Sequence, residues 1–214
     1  MRKDSILLAK GAGDMVHRVI NYLCAATAIL LLILDTCAQP GVLSPEIEKL
    51  LDQKTEILKT ELANDPVILN AVKEANVKNK DIPLPEIKKQ DEQWIASKGV
   101  DPFIEGFITN DCAVRLVAFQ DSYNEYAEIF VTDTRGLIVG ETNKTSDYYQ
   151  ADEDWWIKSY QGGQGISFHG EIEYDESAMS ESVPIYIPII EPETKKAIGV
   201  IKAIVDITAI KMEL

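Results

Sequence analysis

The chain is poor in the residues that build metal centres and nucleophilic triads. Two histidines (His17, His169) and three cysteines (Cys24, Cys37, Cys112) occur in 214 residues, in no metal-ligand spacing. A histidine-based metal site or triad has almost nothing to work with, and no metal or cofactor is expected. A disulfide framework is missing as well. Cys24 lies in an apolar run, a Cys37–Cys112 bridge would tie a leader to the domain, and Cys112 reads as a buried thiol on an apolar helix face. Positive charge is scarce: 21 Lys and Arg face 35 Asp and Glu, for a net charge of −14. Phosphate binding asks for a Lys/Arg surface, so nucleic acid is not an expected partner. No internal repeat or low-complexity stretch is visible.

What is present begins with one short apolar run at residues 20–34, INYLCAATAILLLIL. It is shorter than the roughly 20 residues of a bilayer-spanning helix, and suits the core of a signal peptide or a short anchor. Arg2, Lys3, Lys10 and Arg18 precede it and acid follows, which places the remainder outside the cytoplasm. Residues 1–38 are therefore read as a signal peptide or membrane anchor. The rest is expected to be periplasmic or otherwise extracytoplasmic, secreted or held at the inner membrane by that segment. With 46% apolar residues, it can bury the core of one ordinary domain.

Residues 39–125 carry four proline-led helix starts. Ser44-Pro45-Glu46, Asp65-Pro66, Leu84-Pro85-Glu86 and Asp101-Pro102 each put proline where its missing N–H costs nothing. Ser44, Asp65 and Asp101 can cap the free amides; Leu84 cannot. Apolar stripes follow at helical spacing: Ile47, Leu50, Leu51, Leu58 and Leu62; Val67, Ile68, Ala71, Val72 and Ala75; Ile87, Trp94 and Ile95; and a single fourth helix carrying Phe103, Ile104, Phe107, Ile108, Cys112, Leu116 and Phe119. The first helix is long enough to serve as a stalk or a dimer seam.

Residues 126–214 read as a sheet. Glu128–Thr132 and Leu137–Gly140 form a hairpin about Asp133-Thr134-Arg135-Gly136, where Gly136 can take positive φ. A polar, aromatic-rich insertion follows, with a short helix capped by Asp152 and ended by Gly162, Gly163 and Gly165. Residues 166–174 form an irregular third strand, Val183–Ile190 the fourth, and Ala197–Ile207 a fifth whose small and β-branched content suits a central position. The fold class is α+β, with five strands, a long first helix and additional helices.

The combined pattern resembles the Cache (PDC-type) sensor domains, extracytoplasmic relatives of the PAS fold, in a single-Cache arrangement. The resemblance covers about residues 44–214. It is carried by Ile129-Phe130-Val131-Thr132-Asp133 with Arg135-Gly136, by residues 145–152 (TSDYYQAD), by Asp154-Trp155-Trp156, by Tyr174-Asp175-Glu176-Ser177-Ala178 and by Ile198-Gly199-Val200-Ile201-Lys202. It implies a central, PAS-like antiparallel sheet and a small-molecule ligand held between the sheet and the insertion before the third strand. It further implies signal transduction or chemosensing without an output domain in this chain. One departure bears on the ligand. Where amino-acid-binding members place a carboxylate-clamping arginine, two residues before the aromatic pair, this chain has Glu153.

The ligand-binding residues expected on these grounds are Asp147, Tyr149, Trp155, Trp156, Tyr174, Asp175 and Lys202. Aromatic faces with carboxylates suit an amine or another polar compound. Trp155 and Trp156 lie about 100° apart on a helix and cannot both face one side fully, so either one packs inward and the other lines the site or both serve packing; replacing Trp156 is expected to weaken binding and leave the fold intact. Lys202 sits in an apolar strand and needs a partner, either Asp175 or Asp147, or a ligand carboxylate. Asp175 reads equally as a turn cap, and Thr145 and Ser177 offer hydroxyls. The second reading is a ligand-free interaction module that dimerises or docks a membrane or receptor partner. An enzyme using a carboxylate pair among Glu153, Asp154, Asp175 and Glu176 is the third; no catalytic residue is expected.

Overall fold

Ser44, Asp65 and Asp101 cap the first turns of three helices, as their side-chain oxygens accept from backbone amides of Ile47, Val67, and Phe103 with Ile104. A computed structural model describes residues 43–175 and 180–212. The leader, Ser177 and Glu176 lie outside the described residues. The helices are α1 (Pro45–Leu58), which continues as a π-helical turn over Lys59–Ala63, then α2 (Pro66–Asn79), α3 (Leu84–Ala96), α4 (Pro102–Ile108) and α5 (Asp111–Gln120). The last two replace the single helix expected from Phe103 to Phe119. Asn110 breaks it: its Oδ1 caps α5 by accepting from Ala113, and its Nδ2 donates to the carbonyls of Gly106 and Val139. A side chain that offers the backbone better partners than the helix does ends the helix there.

The sheet contains β1 (Tyr126–Asp133), β2 (Ile138–Glu141), β3 (Phe168–His169), β4 (Glu173–Asp175), β5 (Ser180–Ile190) and β6 (Ala197–Asp206). All pairings are antiparallel and the order is β2-β1-β6-β5-β3, with β4 also on β5. This is the PAS-like order with its third strand broken in two, giving six strands rather than five. Pro184 on β5 has no N–H to offer opposite Gly170, and a Cβ on Gly170 would lie 2.8 Å from the Pro184 ring. The ladder therefore lapses between β3 and β4. The short helix α6 (Asp154–Tyr160) lies between β2 and β3, and α7 (Ile207–Lys211) follows β6. Glu153, not Asp152, occupies the cap position of α6, without a side-chain hydrogen bond.

Alternation along the strands divides the sheet into two faces. Ile129, Val131, Ile185, Ile187, Ile201 and Ala203 face the first helices and bury Leu51, Leu58, Leu62, Ile68, Val72, Cys112 and Phe119 with them. Each fully buried side chain of this kind is worth about 1.5–3 kcal/mol. Helices and sheet thus share this core, a second cluster gathers Ile87, Trp94, Ile104, Phe130, Leu137, Ile138 and Tyr148, and Leu43–Leu214 forms one compact unit. The other face of the sheet is left for the insertion. Among the described residues, no helix is long and apolar enough to cross a membrane.

Candidate functional site

The register of the sheet lines up a row of side chains on that second face. Glu141 on β2 pairs with Phe130 on β1, Phe130 with Lys202 on β6, Lys202 with Tyr186 on β5, and Tyr186 with Phe168 on β3. Directly paired residues share a face, so a carboxylate, three rings and an ammonium form one line across the sheet.

The insertion is fastened over this row from three sides. Asp133, fully buried, accepts from the amides of Arg135 and Leu137 and from the side-chain amide of Asn79, which fixes the hairpin turn to α2. Gly136 in that turn has φ +72° and lies against Ala151, whose amide would be 2.5 Å from an added Cβ. From α3, Asp91 accepts the amides of Tyr148 and Tyr149, and the Trp94 indole donates to the Thr145 carbonyl. On α6, Trp156 is 6% exposed, stacks on Tyr160 and donates its indole N–H to the Thr132 hydroxyl. These anchors set α6 over the sheet and turn Trp155 onto the row.

Trp155 stacks on Tyr186 with centroids 5.0 Å apart and planes 14° from parallel, and meets the Phe130 ring at 6.0 Å. The Lys202 ammonium lies 5.0 Å from the Trp155 centroid, 5.7 Å from that of Phe130 and 6.0 Å from that of Tyr186. The ring quadrupoles attract it at these distances. Burial holds the Lys202 pKa below the ordinary lysine value, while Glu128, Glu173, Glu153 and Asp147 act in the opposite direction. At the end of the row Glu141 is fully buried, with one oxygen accepting from the Thr145 amide. Its Oε1 has no hydrogen-bond partner among the described residues. Burial pushes its pKa up to about 7.

The structure gathers some of the expected residues and separates others. Trp155 and Lys202 meet at the centre. Asp147 is at the rim, its carboxylate accepting from Ser146 and Gln150. The expected Lys202–Asp147 pair is not formed: Lys202 enters none of the ion pairs found among the described residues. Tyr149 is half-buried and packs against the second core cluster, as Trp155 does. Trp156 is the inward-packing member of the pair and secures α6 through Thr132. Tyr174 pairs with Glu181 and is 62% exposed, taking no part in the ring cluster. The backbone of Asp175 pairs with Ser180. Thr145 is buried and its hydroxyl is committed to the Asp147 carbonyl.

Phe130, Tyr186, Phe168 and Glu141 were not among the expected residues. Each sits in an apolar or β-rich run, where a ring reads as core; only the register shows that they share a row with Lys202. A separate groove of about 670 Å³ lies between α2, α4, the start of α5 and β2, with Asn70, Glu74, Phe103, Gly106 and Cys112 among its walls. None of the expected ligand residues lines it. Burial pushes the Cys112 thiol up to about 12. Among the described residues, no cluster of His, Cys, Asp and Glu could hold a metal ion.

No family model matches the chain. No curated protein matches it either. Solved structures that it resembles include the sensor domain of the Vibrio cholerae histidine kinase DctB, at 13% identity and a TM-score of 0.43, over 78% of this chain and 53% of that one. Another is the ligand-binding domain of the Campylobacter jejuni chemoreceptor Tlp3 in complex with 4-methylisoleucine, at 13% identity and a TM-score of 0.37, over 78% and 62%. A third is the ligand-binding domain of the Pseudomonas aeruginosa amino acid chemoreceptor PctC in complex with GABA, at 9% identity and a TM-score of 0.38, over 78% and 65%. The chain thus spans between half and two thirds of each of these. Likenesses at this level assign neither a family nor a ligand. By its own strand order and its helical cover before the third strand, the chain has the architecture of a PAS-like α+β domain.

Proposed function

We propose that this chain is an extracytoplasmic small-molecule sensor domain, with its ligand held on the second face of the sheet beneath α6. The observation that carries the reading is the Trp155–Tyr186–Phe130 cluster around Lys202, ringed by carboxylates and covered by a separately anchored segment. On the opposite face the sheet contributes Ile, Val and Ala side chains, with Tyr126, to the core. On this face it keeps a charged group among rings, a combination suited to a polar ligand with an apolar or cationic part. The site residues proposed are Asp147, Tyr149, Trp155 and Lys202 from the sequence, joined by Phe130, Tyr186 and Glu141. Trp156 supports the cover. The acid-rich rim favours an amine. Arg115 and Arg135 are committed elsewhere, to Asp65 and to backbone carbonyls of α2 and the loop after it. The extracytoplasmic placement rests on the charge asymmetry about residues 20–34.

The second reading, a ligand-free interaction module, is favoured by one feature: Lys202 and the Trp155–Tyr186 stack fill this face. Against it, among the described residues none of the large exposed apolar side chains lies on α1. A thermal-shift screen of the chain against amines, amino acids, carboxylates, purines and sugars separates the two. A saturable rise in melting temperature that Trp155→Ala abolishes is expected of the sensor, since selective binding to the folded state stabilises it. A flat response to every class at millimolar concentration would leave the interaction module.

A further inference from the structure

We propose that Lys202 is a built-in occupant of a cation site, and that the ligand is an organic ammonium that takes its place between Trp155, Phe130 and Tyr186. This rests on the sensor reading above and names the ligand chemistry of the same face. A lysine on a central strand ordinarily either pairs with a carboxylate or carries its head to water. Lys202 is half-buried and forms no ion pair among the described residues. Its ammonium is turned among three rings, one of them brought by the cover and two by neighbouring strands. That is the environment of an aromatic cage for an ammonium ligand, already holding one.

The surrounding charge points the same way. Four carboxylates, Glu128, Glu173, Glu153 and Asp147, bear on this single ammonium. A ligand cation entering as Lys202 swings toward solvent keeps the charge of the cage unchanged, whereas an anionic ligand would enter a region already rich in acid. Burial works against the charged form of Lys202, so release of its flexible stem to water recovers hydration that the cage withholds. The exchange has a mechanical consequence. Trp155 belongs to α6 and Tyr186 to β5, so a cation of different bulk at this point changes their 5.0 Å stack and with it the seat of α6.

The test uses the full chain and its Lys202→Met variant, which keeps the length of the stem and removes its charge. Tetramethylammonium, n-butylammonium and butyrate are titrated into each, with sodium chloride as the ionic-strength control, and binding is read by tryptophan fluorescence and calorimetry. The expected result is at least tenfold tighter binding of the two ammonium ions by Lys202→Met than by the parent, with butyrate binding to neither. Trp155→Ala in the same background removes that binding. Equal ammonium affinity in both chains, or a loss in Lys202→Met, overturns the proposal while leaving the sensor reading in place. Butyrate binding to the parent that Lys202→Met loses also overturns it, making Lys202 a carboxylate grip. If neither chain binds any probe, the proposal falls and the sensor reading loses its ligand face. Lys202→Gln serves as a second variant where Met impairs folding.

Discussion

At the scale of single residues, Glu141 shows how a side chain of the proposed site sets a pH dependence. It is fully buried, has one oxygen without a partner among the described residues, and carries a pKa raised from 4.5 to about 7 by burial. An acid whose pKa is higher folded than unfolded binds its proton more tightly in the folded state. The penalty is therefore absent below about pH 4.5, grows as the unfolded carboxyl ionises, and is complete above about pH 7. Glu141→Gln removes it and keeps an acceptor for the Thr145 amide. The variant is expected to match the parent at pH 4 and to exceed it at pH 8 by up to about 3 kcal/mol. Urea unfolding at the two pH values checks this; the same difference at both would remove the ionisation argument. The residue-scale outcome also decides between the two tryptophans. Both stand in one helical turn with the same intrinsic chemistry, and only the docking of α6 puts the Trp156 N–H on Thr132 and the Trp155 ring on Tyr186.

At the scale of elements, the hairpin and the insertion are one device. Gly136 has φ +72°, a conformation costly to residues with a Cβ, and its buried face meets Ala151 of the insertion. Gly136→Ala strains the turn and lifts the insertion together. A loss of about 2–4 kcal/mol in stability is expected, measured by chemical denaturation, with a weaker Trp155 contact visible as a shift in tryptophan emission. A loss under about 0.5 kcal/mol would mean that the turn relaxes freely. The starts of the helices were legible because proline and a capping side chain act locally. The split between α4 and α5 was not, because half of the reason for it is remote: Asn110 donates to Val139, on a strand 29 residues later in the chain. The broken third strand likewise depends on which residue of β5 stands opposite Gly170.

At the scale of the whole molecule, the helices of residues 39–125 and the sheet of residues 126–214 are interdependent. Their apolar faces meet in a shared core, and the His169–Glu48 contact, 2.9 Å across, spans the same boundary. Equilibrium unfolding followed by far-ultraviolet circular dichroism and by tryptophan fluorescence is expected to give superimposable single transitions, since Trp94 and the pair at 155–156 report from either side. Two separated transitions would show that the helical region and the sheet fold apart.

Composition, proline-led caps and β-rich runs bounded by turn residues by themselves determined the α+β class, the succession of elements apart from the split fourth helix and the broken third strand, and the acid-rich aromatic insertion. These signals are local, and a residue's neighbours in sequence suffice to produce them. Lys202 stood out for the same reason, as a charge within an apolar strand. What only the tertiary structure decided is the company it keeps. Phe130, Tyr186 and Trp155 come from β1, β5 and α6, and a shift of one residue in register would send the strand side chains to the opposite face. The cage exists because pairing across three strands and the seat of one short helix agree, and that agreement is a property of the packed molecule.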